Sequence, residues 1–162
     1  MEMHLNPEIV QLSEKRLFGK MGLISFAQFN VAPIWKSFQQ EKHGLVPAKP
    51  FEVISAAVYP SGFFKSFNPT TPFEKWAALE VKHDANLPDG FLELIIPDGF
   101  YARFLYKGSS ADRSFMQSIF SEWLPASEYE LDDRPHFEIL GPNYRNNDPE
   151  SEEEIWVPVR NR

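Results

Sequence analysis

The sequence predicts an α+β fold built from two β-α-β-β modules related by a pseudo-two-fold axis. Antiparallel sheets carry helices on one side, with a central ligand groove. Three observations lead there. The element order strand, helix, strand, strand runs from Leu17 and starts again at Phe100. Phe51-Glu52-Val53-Ile54 is answered by Phe137-Glu138-Ile139-Leu140, and Glu74-Lys75-Trp76 by Glu154-Ile155-Trp156. Each pair of strands also follows a helix rich in Trp and Phe: Trp35 and Phe38 in the first, Phe120 and Trp123 in the second. A single spacing of this length means a two-fold duplication rather than a solenoid. One half cannot bury both faces of its sheet, so two halves must meet, and their seam is a natural concave site.

The elements follow in order. Residues 1–12 form an N-terminal lead-in with a short turn at Pro7, and residues 13–162 form one domain. Within it the first module covers about 13–82, a connector 83–98 and the second module about 99–160. Leu17 to Ile24 is apolar and reads as a strand, kinked by Gly19 and Gly22. Val31, Ile34, Trp35 and Phe38 sit at helical spacing. Pro33 suits the first turn of that helix and Gly44 stops it.

Phe51 to Tyr59 reads as a buried strand. Pro60 to Pro72 is a long loop carrying Phe63, Phe64 and Phe67, and long loops are often functional or mobile. Phe73 to Val81 is the next strand, and Lys82 to Gly90 the internal boundary. Strands Phe91 to Pro97 and Phe100 to Lys107 flank the turn Asp98-Gly99. Ser110 to Leu124 is a helix with Phe115, Ile119, Phe120 and Trp123 on one face, capped by Asp112 or Ser110 and ended by Pro125. His136 to Leu140 is a short strand. After the polar loop Gly141 to Glu152, Glu154 to Val159 is the last strand.

Alternation assigns faces. Ile155, Val157 and Val159 should pack on a helix, leaving Glu154, Trp156 and Pro158 opposite. Phe137 and Ile139 should also face the helix, with His136, Glu138 and Leu140 opposite. Phe73, Ala77, Leu79 and Val81 make an apolar face, Lys75 being the exception, and Glu74, Trp76, Ala78 and Glu80 make the other. Carboxylates beside indoles, on the face away from the helices, are the arrangement that holds organic cations through charge and cation–π attraction.

The bulk numbers agree with such a module. The chain has 162 residues, 43% hydrophobic and 15% aromatic, with net charge -7. An acidic chain suits neither a phosphate backbone nor an anionic membrane, so neither nucleic acid nor membrane is an expected partner. There is no cysteine, which removes disulfides, Cys-liganded zinc and a cysteine nucleophile. The four histidines, His4, His43, His83 and His136, are scattered, so no metal is expected, and no motif calls for a cofactor. His136 shares a strand face with Glu138. The run Asp148, Glu150, Glu152, Glu153, Glu154 reads mostly as a solvated loop. With no basic-then-apolar leader and no stretch of about 20 apolar residues, the expected location is cytoplasmic.

At these residues the chain resembles the GyrI-like small-molecule-binding family, the effector-binding domain of Rob- and BmrR-type regulators. The resemblance runs from about Arg16 to Val159. It rests on the ending Glu154-Ile155-Trp156-Val157-Pro158-Val159, on Pro97-Asp98-Gly99-Phe100-Tyr101-Ala102-Arg103-Phe104, and on Arg134-Pro135-His136-Phe137-Glu138. It implies that Glu138 and Glu154 are acidic pocket residues and Trp156 the aromatic one. Trp76, Tyr101, Phe104 and His136 complete the expected ligand-binding set. The family usually has Tyr where Trp156 stands, and no DNA-binding helix-turn-helix precedes the domain. The expected function is a stand-alone binder of cationic or aromatic compounds. The alternatives are a hydrolase of reactive aromatic or cyclopropane-containing natural products, with Glu138 or Glu154 as general base, and a gyrase-inhibitor-like protein-interaction module.

Overall fold

The computed structural model describes residues 5–162; residues 1–4, the start of the lead-in with its histidine, lie outside it. The chain forms β1 (Glu8–Leu12), β2 (Lys15–Ile24), α1 (Ala32–Glu41) with a 3-10 turn (Lys42–Gly44), β3 (Val53–Val58), β4 (Phe73–Val81), β5 (Leu92–Ile96) and β6 (Gly99–Lys107). Then come α2 (Ser114–Ser118), a π-helical stretch (Ile119–Trp123) and a last helical turn (Leu124–Ala126), followed by β7 (Tyr129–Leu131), β8 (His136–Leu140) and β9 (Glu152–Asn161). Two elements were not expected: β1 lies in the lead-in, and β7 pairs with the end of β9, Leu131 opposite Val159.

All pairings are antiparallel, in the order β1-β6-β9-β8-β3-β4-β2-β5. β3 and β8 meet in the middle, with Ser55 opposite Glu138 and Ala57 opposite His136. Two-residue links join β1 to β2 and β5 to β6, strands from opposite halves of this order. The Glu14 N–H donates to the Asp98 carboxylate, tying the two links together. Strands that are far apart in the order yet joined by links this short force the sheet to curl.

The helix-bearing face holds two cores. Ile34 and Phe38 of α1, four residues apart, pack with Phe18, Phe73, Ala77, Leu79 and Val81. Ile119, with partly buried Phe115, Phe120 and Trp123, packs on Ala102, Phe104, Ile155, Val157 and Val159. Asp112, just before the second helical segment, accepts the Ser114 N–H at 2.9 Å, but the N-cap residue is Arg113, not Asp112 or Ser110 as expected.

A third core fills the face away from the helices, and it corrects the expected position of the groove. Curling brings Leu12, Leu17, Ile96 and Tyr101 against Ile54, Trp76, Ala78, Phe137, Ile139 and Trp156. Phe137 stacks on Trp156 at 5.3 Å between centroids. Phe137 and Ile139 therefore face away from the helices, opposite to expectation, and His136 and Glu138 face toward them. The alternation was sound, but both faces of this sheet are covered, so the apolar residues of a strand do not identify the helix side.

Candidate ligand-binding groove

Between the two helix-side cores, at mid-sheet, the apolar floor gives way to polar groups. β8 supplies His136 and Glu138, β9 supplies Glu153, β4 supplies Lys75, and Tyr59 follows the end of β3. Glu153 shares a face with Ile155 because β9 begins two residues earlier than the sequence suggests. Aromatic residues roof this seam. Phe64, from the 60–72 loop, stacks on Phe120 at 5.4 Å, and His136 lies 4.9 Å from Tyr59, 5.7 Å from Phe64 and 6.1 Å from Phe120. Arg113, just before α2, reaches over the ring of Phe29 at 4.1 Å. Four of these contacts bridge the seam from the first half of the chain to the second.

The electrostatics are those of a partly buried site. Burial, the nearby Glu138 charge and a hydrogen bond to Glu138 push the Glu153 carboxyl up to about 9. Glu153 keeps its proton through neutral pH, as a buried carboxyl beside a second carboxylate does. Burial, with Lys75 and Arg134, pushes His136 down to about 3, so its imidazole is neutral. Burial also raises the Tyr59 phenol, helped by Glu138. Lys75 is shifted below the usual lysine range by burial, with Arg113 adding repulsion and both glutamates pulling back.

The other expected site residues lie elsewhere. Glu154 is on the opposite face from Glu138, accepting from Arg103 Nε at 2.7 Å and from Trp156 Nε1 at 3.1 Å. Burial pushes its carboxyl up, but Arg103 and the indole N–H outweigh that and hold it below the usual range. Trp76 repeats the arrangement, donating to Glu74 at 3.0 Å. Trp76 and Trp156 are only 4% and 7% exposed in the third core. Tyr101 is fully buried there, its hydroxyl donating to the Pro135 carbonyl at 2.7 Å. Phe104 is buried beneath the second helical segment, edge-on to Trp123 at 5.2 Å. Glu153 and Glu154 both border an open surface depression of about 340 Å³, with Glu52, Leu105, Ile139 and Glu152.

Of the expected site residues, the structure brings Glu138 and His136 together with Glu153, Lys75, Tyr59, Phe64, Phe120 and Arg113, which sequence reasoning did not group with them. Signals existed for two of them. Lys75 interrupts an apolar face, and Glu153 is in register with Ile155, Val157 and Val159. Nothing local links Phe64 to Phe120.

Comparison with known proteins supports this architecture. SAV2435, solved bound to tetraphenylphosphonium, is 16% identical, with 96% of this chain and 94% of that chain covered and a TM-score of 0.73. The EcmrR C-terminal domain is 16% identical over 99% of this chain and all of its own, with a TM-score of 0.67. A hydrolase from Listeria innocua is 11% identical, covering 95% of this chain and 91% of that one, with a TM-score of 0.60. No curated protein matches the chain. The family described as the GyrI-like small molecule binding domain matches residues 5–160, nearly the whole chain, and the protein belongs to that family.

Proposed function

We propose that this domain binds an aromatic organic cation in the groove between its two helical segments. The observation that carries the reading is the Glu138–Glu153 pair, which retains a proton beneath the rings of Tyr59, Phe64, Phe120 and His136. A cation entering there takes the place of that proton. It gains carboxylate pairing that water does not screen, plus about 0.5–2 kcal/mol per ring face. The tetraphenylphosphonium bound by SAV2435 supports the same ligand class. Glu138 keeps the ligand role expected of it, Glu153 takes the place expected of Glu154, and Trp76, Trp156, Tyr101 and Phe104 serve as the groove's structural support.

The proposal includes the duplication. With β2, β3, β4 and β5 matched to β6, β8, β9 and β1, the strand order reads the same from either end. The indole-to-glutamate hydrogen bond recurs at matched positions. A pseudo-two-fold axis between β3 and β8 would pass through the groove.

Calorimetry with methyltriphenylphosphonium and its neutral analogue triphenylphosphine oxide tests the reading. Wild type should prefer the cation and release a proton on binding it, seen as a dependence of the heat on buffer ionisation. Glu138→Gln should weaken the cation more than the oxide, and Glu153→Gln should end the proton release. Equal loss for both compounds in Glu138→Gln, or no binding by wild type, would sink it.

A second reading, hydrolysis, is favoured by the same pair. A protonated carboxyl hydrogen-bonded to a second carboxylate places a donor beside a base. Turnover would appear as a product mass on incubation with a strained aromatic electrophile, abolished by Glu138→Gln. Ligand recovered unchanged rules this out.

A further inference from the structure

Lys75 and Arg113 are charges near the groove that the cation reading leaves unused. The Lys75 side chain comes off the helix-facing side of β4 between Phe73 and Ala77, both buried. Its strand neighbours are Gly22 and Ala57, too small to cover it. Among the described residues it makes no hydrogen bond and no ion pair. Its ammonium lies 5.9 Å from the centre of the Phe29 ring, and Arg113 lies over that same ring. Two other partly buried lysines are paired: Lys15 with Glu80 at 3.1 Å and Lys20 with Glu41 at 3.0 Å. Lys75 is half-buried, and a partly buried ammonium without a partner costs stability that a Met or Leu at this position would not. Glu138 and Glu153 share the groove with Lys75 and feel its charge, yet no salt bridge forms between them. Opposite charges on the same face of the sheet, without contact between them, suit a molecule that meets both.

We propose that Lys75, with Arg113 beside it, receives an anionic or carbonyl oxygen of the ligand, so that the groove selects amphoteric aromatic molecules whose cationic end lies at Glu138 and Glu153. This rests on the groove reading above and narrows its ligand class. A carboxylate at Lys75 would supply the missing ion pair. A ligand that is only cationic satisfies the glutamates and leaves Lys75 unpaired.

The test uses two xanthene dyes that share one cationic ring system. Rhodamine 110 carries a free carboxylate, and rhodamine 123 is its methyl ester. Fluorescence anisotropy with the full chain should give rhodamine 110 an affinity about tenfold higher, the value of one hydrogen bond to a charged group. Lys75→Met should erase that preference and leave the affinity for the ester unreduced. It should also raise the melting temperature, since an unpaired cation is removed, so loss of fold does not confuse the result. Equal affinities in wild type, or a preference that survives in Lys75→Met, overturns the Lys75 assignment while leaving the cation site standing. Failure of both dyes to bind overturns the two readings together.

Discussion

At the scale of single residues, His136 and Glu153 pull stability in opposite directions along the pH axis. The folded state holds His136 neutral down to about 3, whereas an unfolded His titrates near 6.5. The unfolded chain therefore binds more protons as pH falls below that value, and stability is lost on the acid side. The folded state keeps Glu153 protonated up to about 9, whereas an unfolded Glu has already released its proton near 4.5. Here the folded chain binds more protons, so stability falls as pH rises from about 4.5 towards 9. Between about 4.5 and 6.5 the two slopes oppose, and the melting temperature should peak or flatten there. Glu153→Gln should flatten the alkaline limb and raise stability at pH 8 by at least about 1 kcal/mol, since one pKa unit is 1.36 kcal/mol. His136→Gln should remove the opposing slope, so that stability rises as pH falls from 6.5 to 4.5. Melting curves from pH 4 to 9 check both, and an unchanged alkaline limb in Glu153→Gln would mean that the proton sits elsewhere.

At the scale of elements, β2 shows what its glycines are for. A Cβ built on Gly19 would lie 2.6 Å from the Ala78 Cβ and would also run into the Ala77 carbonyl of β4, its hydrogen-bonded neighbour. Gly19 thus permits a close approach of strands as the sheet curls, which matches the kink expected from the sequence. Gly22 leaves room for Ile34 of α1, whose side chain would lie 2.9 Å from an added Cβ. The Ile34 side chain is able to move aside; the backbone and Ala78 facing Gly19 are not. Gly19→Ala should therefore cost about 1–3 kcal/mol, the range for forcing a methyl into a packed interior. Gly22→Ala should cost less. Urea midpoints of the two variants decide the matter, and equal values would contradict the close packing at Gly19.

For the whole molecule, the third core separates a structural from a ligand-lining role for the indoles. Trp156 is sandwiched near Phe137 and Tyr101, and its N–H is satisfied by Glu154. Trp156→Ala should cost about 3–5 kcal/mol, as large aromatic truncations in cores do. Trp156→Phe should keep ligand affinity at a temperature where it remains folded. Lost binding in Trp156→Phe with unchanged stability would return Trp156 to the groove wall. The same core explains why the curled sheet shelters a polar seam on its other face. Two helical segments leave the central strands β3 and β8 to loops and aromatic side chains, and the charged groups collect there.

What the sequence determined by itself was local and periodic. Turn residues and hydrophobic alternation marked β2, β4, β6, β8 and both helical segments to within a few residues, and the alternation correctly kept Trp76 and Trp156 off the helix side. The resemblance at Arg134 to Glu138 and Glu154 to Val159 led to the family. β1 and β7 escaped because they are short strands of five and three residues that exist through pairing to β6 and β9. What only the tertiary structure decided was which face of β8 meets the helices, and with it the membership of the groove. Phe137 looks as apolar as any residue that packs under a helix; its direction depends on a curl imposed by two short links joining strands from opposite halves of the sheet. That curl buries both faces, separates Glu138 from Glu154, and joins Glu138 to Glu153 and Lys75, residues whose meeting depends on strand register between distant segments rather than on their spacing along the chain.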